Sequence, residues 1–255
     1  VASIVVAFLW PSCSTSHENG ARRRVRTEGN YCERRIVTNI SSLRQWKAFA
    51  ECLMAQSGIR VLQKFELAEV FGFEGRNKYS LADMNGETIG FAAEQGKGII
   101  GWFLRQFLGH WRRFDVTIFD NQRKPVLQIK HPFRWFFQKM DVCLPDNRCI
   151  GSFEWKLFFF RRGFNVLDRK GQLLFEVKTE RTLLGWRFDV FTGSRRRAEI
   201  AKQFSGVMSE LFTDRDEFIV SFDDERLDEN ERSLLVAAAI FTDLQYFESK
   251  AHSKL

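Results

Sequence analysis

Three stretches of the sequence set large aromatic rings beside guanidinium groups. The longest, Ile99–Arg113, reads IIGWFLRQFLGHWRR. Drawn on a helix, Ile100, Phe103, Leu104, Phe107, Leu108 and Trp111 share one face, while Arg105, Arg112 and Arg113 fall away from it. Trp102 adds a second indole. Arg134, Trp135 and Phe136 repeat the pairing, as does Trp155–Arg162, WKLFFFRR, which ends in Arg161 and Arg162. Rings of this kind settle at headgroup depth in a bilayer, where neighbouring cations meet anionic lipid. At least half of the aromatics are expected to pack a core instead, so the flanking arginines carry the signal. Another basic run, Arg195–Arg197, falls at a hairpin turn, where three guanidiniums could contact nucleic-acid phosphates. No zinc finger, helix-turn-helix or RNA-recognition motif accompanies it. Nucleic acid therefore ranks behind an anionic phospholipid membrane as partner, with a protein partner left open.

Bond-making chemistry has no constellation to support it. His17, His110, His131 and His252 are neither paired at metal spacing nor set beside a nucleophile. Glycines follow hairpin turns, and no phosphate-binding loop occurs. The expectation is a protein that is not an enzyme. Five cysteines at irregular spacings make a poor disulfide framework and include no CxxC pair. Cys143 and Cys149 flank a four-residue turn and could face each other across a hairpin. The expected state is two reduced, half-buried thiols in a reducing compartment, in the cytoplasm or at the cytoplasmic face of a membrane.

Something must hold these groups in place. The chain has 255 residues, 44% of them hydrophobic, enough to bury one substantial core. A net charge of +7 favours acidic partners, and 27 Phe against three Tyr places most rings inside or against apolar matter. Residues 1–58 read as a poorly ordered stretch. Val1–Trp10 is apolar but too short to span a bilayer, and no amphipathic rhythm is read before Met54, the first methionine. The native start is expected near Met54.

From there one unit recurs: an alternating strand, a polar turn and a second alternating strand. Its turns are Asp83–Gly86, Asp120–Lys124, Pro145–Arg148, Asp168–Gly171 and Thr192–Arg195. Asn-Gly and Lys-Gly pairs supply the positive φ of tight hairpins. With further strands near Phe65–Phe71 and Glu217–Phe222, ten to twelve strands follow in meander order, and a sheet that large closes rather than leaving edges. Residues 59–250 are thus expected to form one mainly β domain, a closed antiparallel barrel of about 12 strands, with 251–255 as a tail. Glu229–Glu248 breaks the rhythm as a helix. Leu234, Leu235, Val236, Ala238, Ile240, Phe241 and Leu244 leave it no polar side, so it is expected inside the barrel. Its uninterrupted apolar stretch is eight residues, far short of a membrane span.

Over roughly residues 60–248 the pattern resembles the phospholipid scramblase family, a branch of the tubby-like superfamily. The stretches are Gln63–Val70 (QKFELAEV), Asn77–Leu81 (NKYSL), Phe91–Glu94 (FAAE), Phe119–Gln122 (FDNQ), Phe212–Phe218 (FTDRDEF) and Asp243–Glu248 (DLQYFE). The resemblance implies a barrel around a C-terminal helix, and calcium-stimulated movement of phospholipids between leaflets. It also places a Ca²⁺ segment on Asp214–Glu225. There Asp214, Asp216 and Glu225 hold loop positions one, three and twelve of an EF-hand-like set, with backbone carbonyls from Phe218 and Val220. Position six is Ile219, where such a loop wants Gly. The cysteine cluster that is lipidated in eukaryotic members is replaced here by His131–Lys139, HPFRWFFQK.

Overall fold

The computed structural model describes residues 41–63, 78–94, 115–130, 139–155, 163–182, 185–203 and 217–247. The chain divides into two units at Ile40 and Ser41, and every described residue belongs to the second.

Its twelve strands run in sequence order around a closed barrel. They are β1 (Gly58–Gln63), β2 (Lys78–Ala82), β3 (Thr88–Glu94), β4 (Asp115–Asp120), β5 (Pro125–Lys130), β6 (Lys139–Cys143), β7 (Cys149–Trp155), β8 (Gly163–Asp168), β9 (Leu173–Thr182), β10 (Gly185–Thr192), β11 (Arg195–Gln203) and β12 (Glu217–Phe222). Every neighbouring pair is antiparallel. Closure comes from β1 against β12, with Ile59 opposite Val220 and Val61 opposite Phe218. The first strand lies earlier than Phe65–Phe71, and residues 64–77 are outside the described residues.

Five tight turns share one design. In four of them the first residue's N–H donates to the fifth residue's carbonyl, and the fourth residue's N–H donates back to the first (Asp83/Glu87, Asp120/Lys124, Leu144/Arg148, Asp168/Gln172). That closure needs one left-handed residue, supplied by Gly86, Arg123, Asn147, Gly171 and, in the fifth turn, Gly193. Where Asp leads, its Oδ1 accepts two further N–H groups, as Asp120 does from Gln122 and Lys124 at 2.9 and 2.8 Å. The register shifts once beside every turn, the mark of a bulge.

Residues 41–54 form helix α1, and Glu229–Tyr246 forms helix α2. Within the stretch 1–58, residues 41–58 hold α1 and the first residue of β1 where poor order was expected, and residues 1–40 lie outside the described residues. Leu43, Trp46, Phe49, Ala50 and Leu53 recur every three or four residues, and all but half-buried Leu43 are buried in the barrel's own core. The rhythm was there to be read.

Helix α2 starts with a capping box. Asp228 accepts the Glu231 N–H at 2.8 Å, and Glu231 Oε2 accepts the Asp228 N–H at 2.9 Å. Leu234, Leu235, Val236, Ala238, Ile240, Phe241 and Leu244 are all buried within the barrel's core cluster. Phe241 stacks on Phe153 at 5.2 Å and meets Phe164 edge-on at 4.8 Å. Gly151 makes room for this helix: a Cβ there would sit 2.8 Å from Leu234 Cδ1 and 2.5 Å from the Leu167 carbonyl.

The meander gives the barrel two unlike ends. All five tight turns fall at one, the turn end, with the last residues of α1 and the first of α2. At the other, the connection end, β1, β3, β5, β7, β9 and β11 each hand over to the next strand.

Candidate lipid-facing site

At the connection end the lumen turns polar around the last turns of α2. Tyr79 Oη donates to Asp243 Oδ2 at 2.8 Å, with both residues fully buried. Lys202 Nζ lies 4.0 Å from Asp243 Oδ1 and 3.6 Å from the centre of the Phe247 ring. Trp186 meets Phe247 edge-on at 5.9 Å. A cation held by a carboxylate and a ring face fixes the exit of the helix without leaving either charge isolated in the core. Neither Asp243 nor Tyr79 stood out in the sequence as partners, because 164 residues separate them.

Of the rings and arginines expected to face lipid, Trp155 is described, and it points the other way. It stacks on Tyr246 at 5.1 Å and meets Phe241 edge-on at 6.2 Å. Strand alternation from Gly151 through Phe153 carries Trp155 inward, so it belongs to the helix packing. Trp102, Phe103, Arg105, Phe107, Trp111, Arg112, Arg113, Arg134, Trp135, Phe136, Arg161 and Arg162 lie outside the described residues. The strand ends that bracket them do not: Glu94 and Asp115, Lys130 and Lys139, Trp155 and Gly163 all stand at the connection end.

Of the Asp214–Glu225 ligand set, the described members Phe218, Val220 and Glu225 do not converge on one point. Phe218 and Val220 sit in β12, paired with β1 on one side and β11 on the other, so their carbonyls point along the sheet rather than into a loop. Glu217, next to Asp216, begins this strand at the connection end, whereas Glu225 follows it at the turn end. Six strand residues, about 20 Å of chain, separate the two. Asp214 and Asp216 themselves lie outside the described residues. Among the described residues no three His, Cys, Asp or Glu side chains gather as a metal site would require.

The three arginines considered for nucleic acid are engaged. Arg195 Nη2 lies 3.2 Å from Asp224 Oδ2, and Arg197 Nε lies 2.8 Å from the same oxygen. Arg196 pairs with Asp189 at 3.2 Å, Asp223 at 3.1 Å and Glu199. The Arg196 contacts continue an ion-pair network over the outside of β9–β11, where Arg187 pairs with Asp189, Glu199 and Glu180; Lys178 pairs with Glu176 on the same wall.

The reading of Cys143 and Cys149 as reduced thiols is also corrected: they form a disulfide across the mouth of the β6–β7 hairpin. Register, which the sequence alone does not give, sets them opposite each other. Cys52 is free and half-buried. Burial raises its thiol pKa, with Asp83 and Glu87 adding to the shift, so it is a poor nucleophile.

At the turn end, Arg232 is the group sequence reasoning missed. Its Nη1 donates to the carbonyls of Leu53 (2.9 Å) and Gln56 (2.5 Å), closing the end of α1 onto the first turn of α2. Its guanidinium lies 4.6 Å from the Phe222 ring centre. Burial pulls its pKa below the ordinary value, with Glu225 opposing.

A transmembrane β-barrel is apolar outside and polar within. This barrel reverses that on the wall of β9–β11 and in its lumen, with ion pairs outside and an apolar helix inside. Among the described residues no helix is long and apolar enough to cross a membrane.

The chain is 27% identical over 179 residues to a phospholipid scramblase family protein of Schizosaccharomyces pombe, covering 67% of this chain and 47% of that one, so it spans about half of that relative's length. It is 24% identical to Altered inheritance rate of mitochondria protein 25 of Saccharomyces cerevisiae, over 90% of this chain and 84% of that one. Against human phospholipid scramblase 1 the figures are 26% identity, 75% and 63%. A solved Arabidopsis thaliana structure aligns with a TM-score of 0.43 and 10% identity, over 74% of this chain and 91% of that one. The family model named Scramblase matches residues 38–249, a range that takes in α1 and begins 16 residues before Met54. With a match across most of its length, the chain belongs to the scramblase family.

Proposed function

We propose that this protein works from the surface of an anionic phospholipid membrane, binding headgroups and promoting movement of phospholipids between leaflets. The observation that carries the reading is the inverted barrel, whose ion-paired wall cannot lie in hydrocarbon and whose lumen is filled by α2. Lipid headgroups must then be met outside the barrel, by its ends and by the basic-aromatic connections. The enclosed helix also favours a second reading, headgroup binding without movement, because a filled lumen offers a headgroup no polar path. The cytoplasmic face of the membrane belongs to the proposal, and the Cys143–Cys149 disulfide weighs against it.

The test is reconstitution of the full chain with vesicles carrying fluorescent lipid in one leaflet, with and without calcium. Loss of leaflet asymmetry supports movement. Binding with asymmetry intact supports the second reading, and absence of binding to anionic vesicles overturns both.

A further inference from the structure

Three large hydrophobic side chains are exposed among the described residues, and all three sit at the turn end. Leu173, beside the β8–β9 turn, is 58% exposed, Met84 in the β2–β3 turn 47%, and Met54 at the end of α1 37%. Scattered exposed apolar residues need no account; three confined to one rim do. The same rim carries exposed cations. Arg123 and Lys124 tip the β4–β5 turn, and Arg169 and Lys170 tip the β8–β9 turn. The turn-opening carboxylates Asp120 and Asp168 are occupied by their own backbone, each Oδ1 accepting two N–H groups. Lys124, Arg169 and Lys170 make no ion pair among the described residues, unlike Arg195, Arg196 and Arg197 on the next hairpin. Four strands separate the two cationic tips, so they stand about 20 Å apart on one edge. Leu173 shares a hairpin with Arg169 and Lys170, and Met84 lies on the hairpin next to Arg123 and Lys124. Apolar tips beside cations suit a bilayer surface, where the tips enter the headgroup layer and the cations meet lipid phosphates.

We propose that the turn-end rim, centred on Lys124, Arg169, Lys170, Leu173 and Met84, is a docking surface for anionic phospholipid. This rests on the membrane reading above and assigns it a surface distinct from the basic-aromatic connections, which leave from the opposite end.

The experiment is co-sedimentation of the full chain with phosphatidylcholine vesicles containing one-third phosphatidylserine. The wild type is compared with a triple variant (Lys124→Gln, Arg169→Gln, Lys170→Gln), with Leu173→Ser, and with Lys178→Gln on the barrel wall. Each cation near a charged membrane contributes about fivefold in affinity, so the triple variant is expected to bind about 100-fold more weakly. Leu173→Ser is expected to weaken binding with the charges intact, and Lys178→Gln to leave it unchanged. All substituted positions are exposed, and thermal melts confirm folding. Undiminished binding by both the triple variant and Leu173→Ser overturns the rim while leaving the membrane reading in place. A wild type that ignores the vesicles overturns both. Preference for duplex DNA over vesicles, lost in the triple variant, overturns the lipid assignment of the rim.

Discussion

At the turn end the chain reverses direction in four or five residues, five times over, and Arg232 ties the end of α1 to α2. At the connection end the same strands are joined mostly by longer segments, and the lumen is finished by a carboxylate, a phenol and an ammonium around the last turn of α2. One end is fixed by backbone geometry repeated in sequence, the other by side chains far apart in it. The contrast teaches where change is tolerated: hairpin tips can vary in charge while their hydrogen bonds hold, whereas the polar group at the connection end has no repeated motif behind it.

The largest expected effect tests what both ends share. Phe241→Ala removes a ring packed on Phe153, Phe164 and Trp155 and should cost about 3–5 kcal/mol in urea unfolding. Gly151→Ala drives a Cβ into the Leu167 carbonyl and Leu234, with an expected loss of about 2–3 kcal/mol. The next pair sets one end against the other. Arg232→Met strips the donors from the last carbonyls of α1 and should cost about 2–3 kcal/mol, with hydrogen exchange accelerating first in residues 41–54. Tyr79→Phe leaves Asp243 without its phenol and should cost about 1–2 kcal/mol, loosening the end of α2 rather than α1. If Tyr79→Phe instead exposes α1 first, the ends are not separately locked. The smallest effect is a gain. Arg123 holds a left-handed conformation at φ 62°, and Arg123→Gly should stabilise by about 0.5–1 kcal/mol.

Much of this fold was legible because its signals are local. Alternation around Asp83, Asp120 and Asp168 marks hairpins within ten residues, and the all-round apolar run from Leu234 to Phe241 marks an enclosed helix. Helix α1 was equally local in Leu43, Trp46, Phe49 and Leu53, yet the irregular text before it masked a rhythm of barely three turns. The candidate sites fared differently because they depend on register and direction. Asp214 to Glu225 has loop-like spacing but contains β12, which sets Glu217 and Glu225 at opposite ends of the barrel. Trp155 looked interfacial beside Arg161 and Arg162, and strand alternation turned it inward. The pairing of Tyr79 with Asp243 follows from enclosure of the helix, which no short stretch of sequence announces; Cys143 and Cys149 face each other across one local hairpin, where the sequence showed the proximity but not the bond.

Enclosure of the final helix by twelve strands is tested most directly by placing one thiol in its middle. Ala238→Cys adds little volume at a fully buried site, and its modification by a maleimide can be followed by mass spectrometry with and without anionic vesicles. The expected result is protection in both conditions, released only by denaturant. Rapid modification of the folded protein, or protection lost when vesicles are added, would contradict a helix that stays inside its barrel.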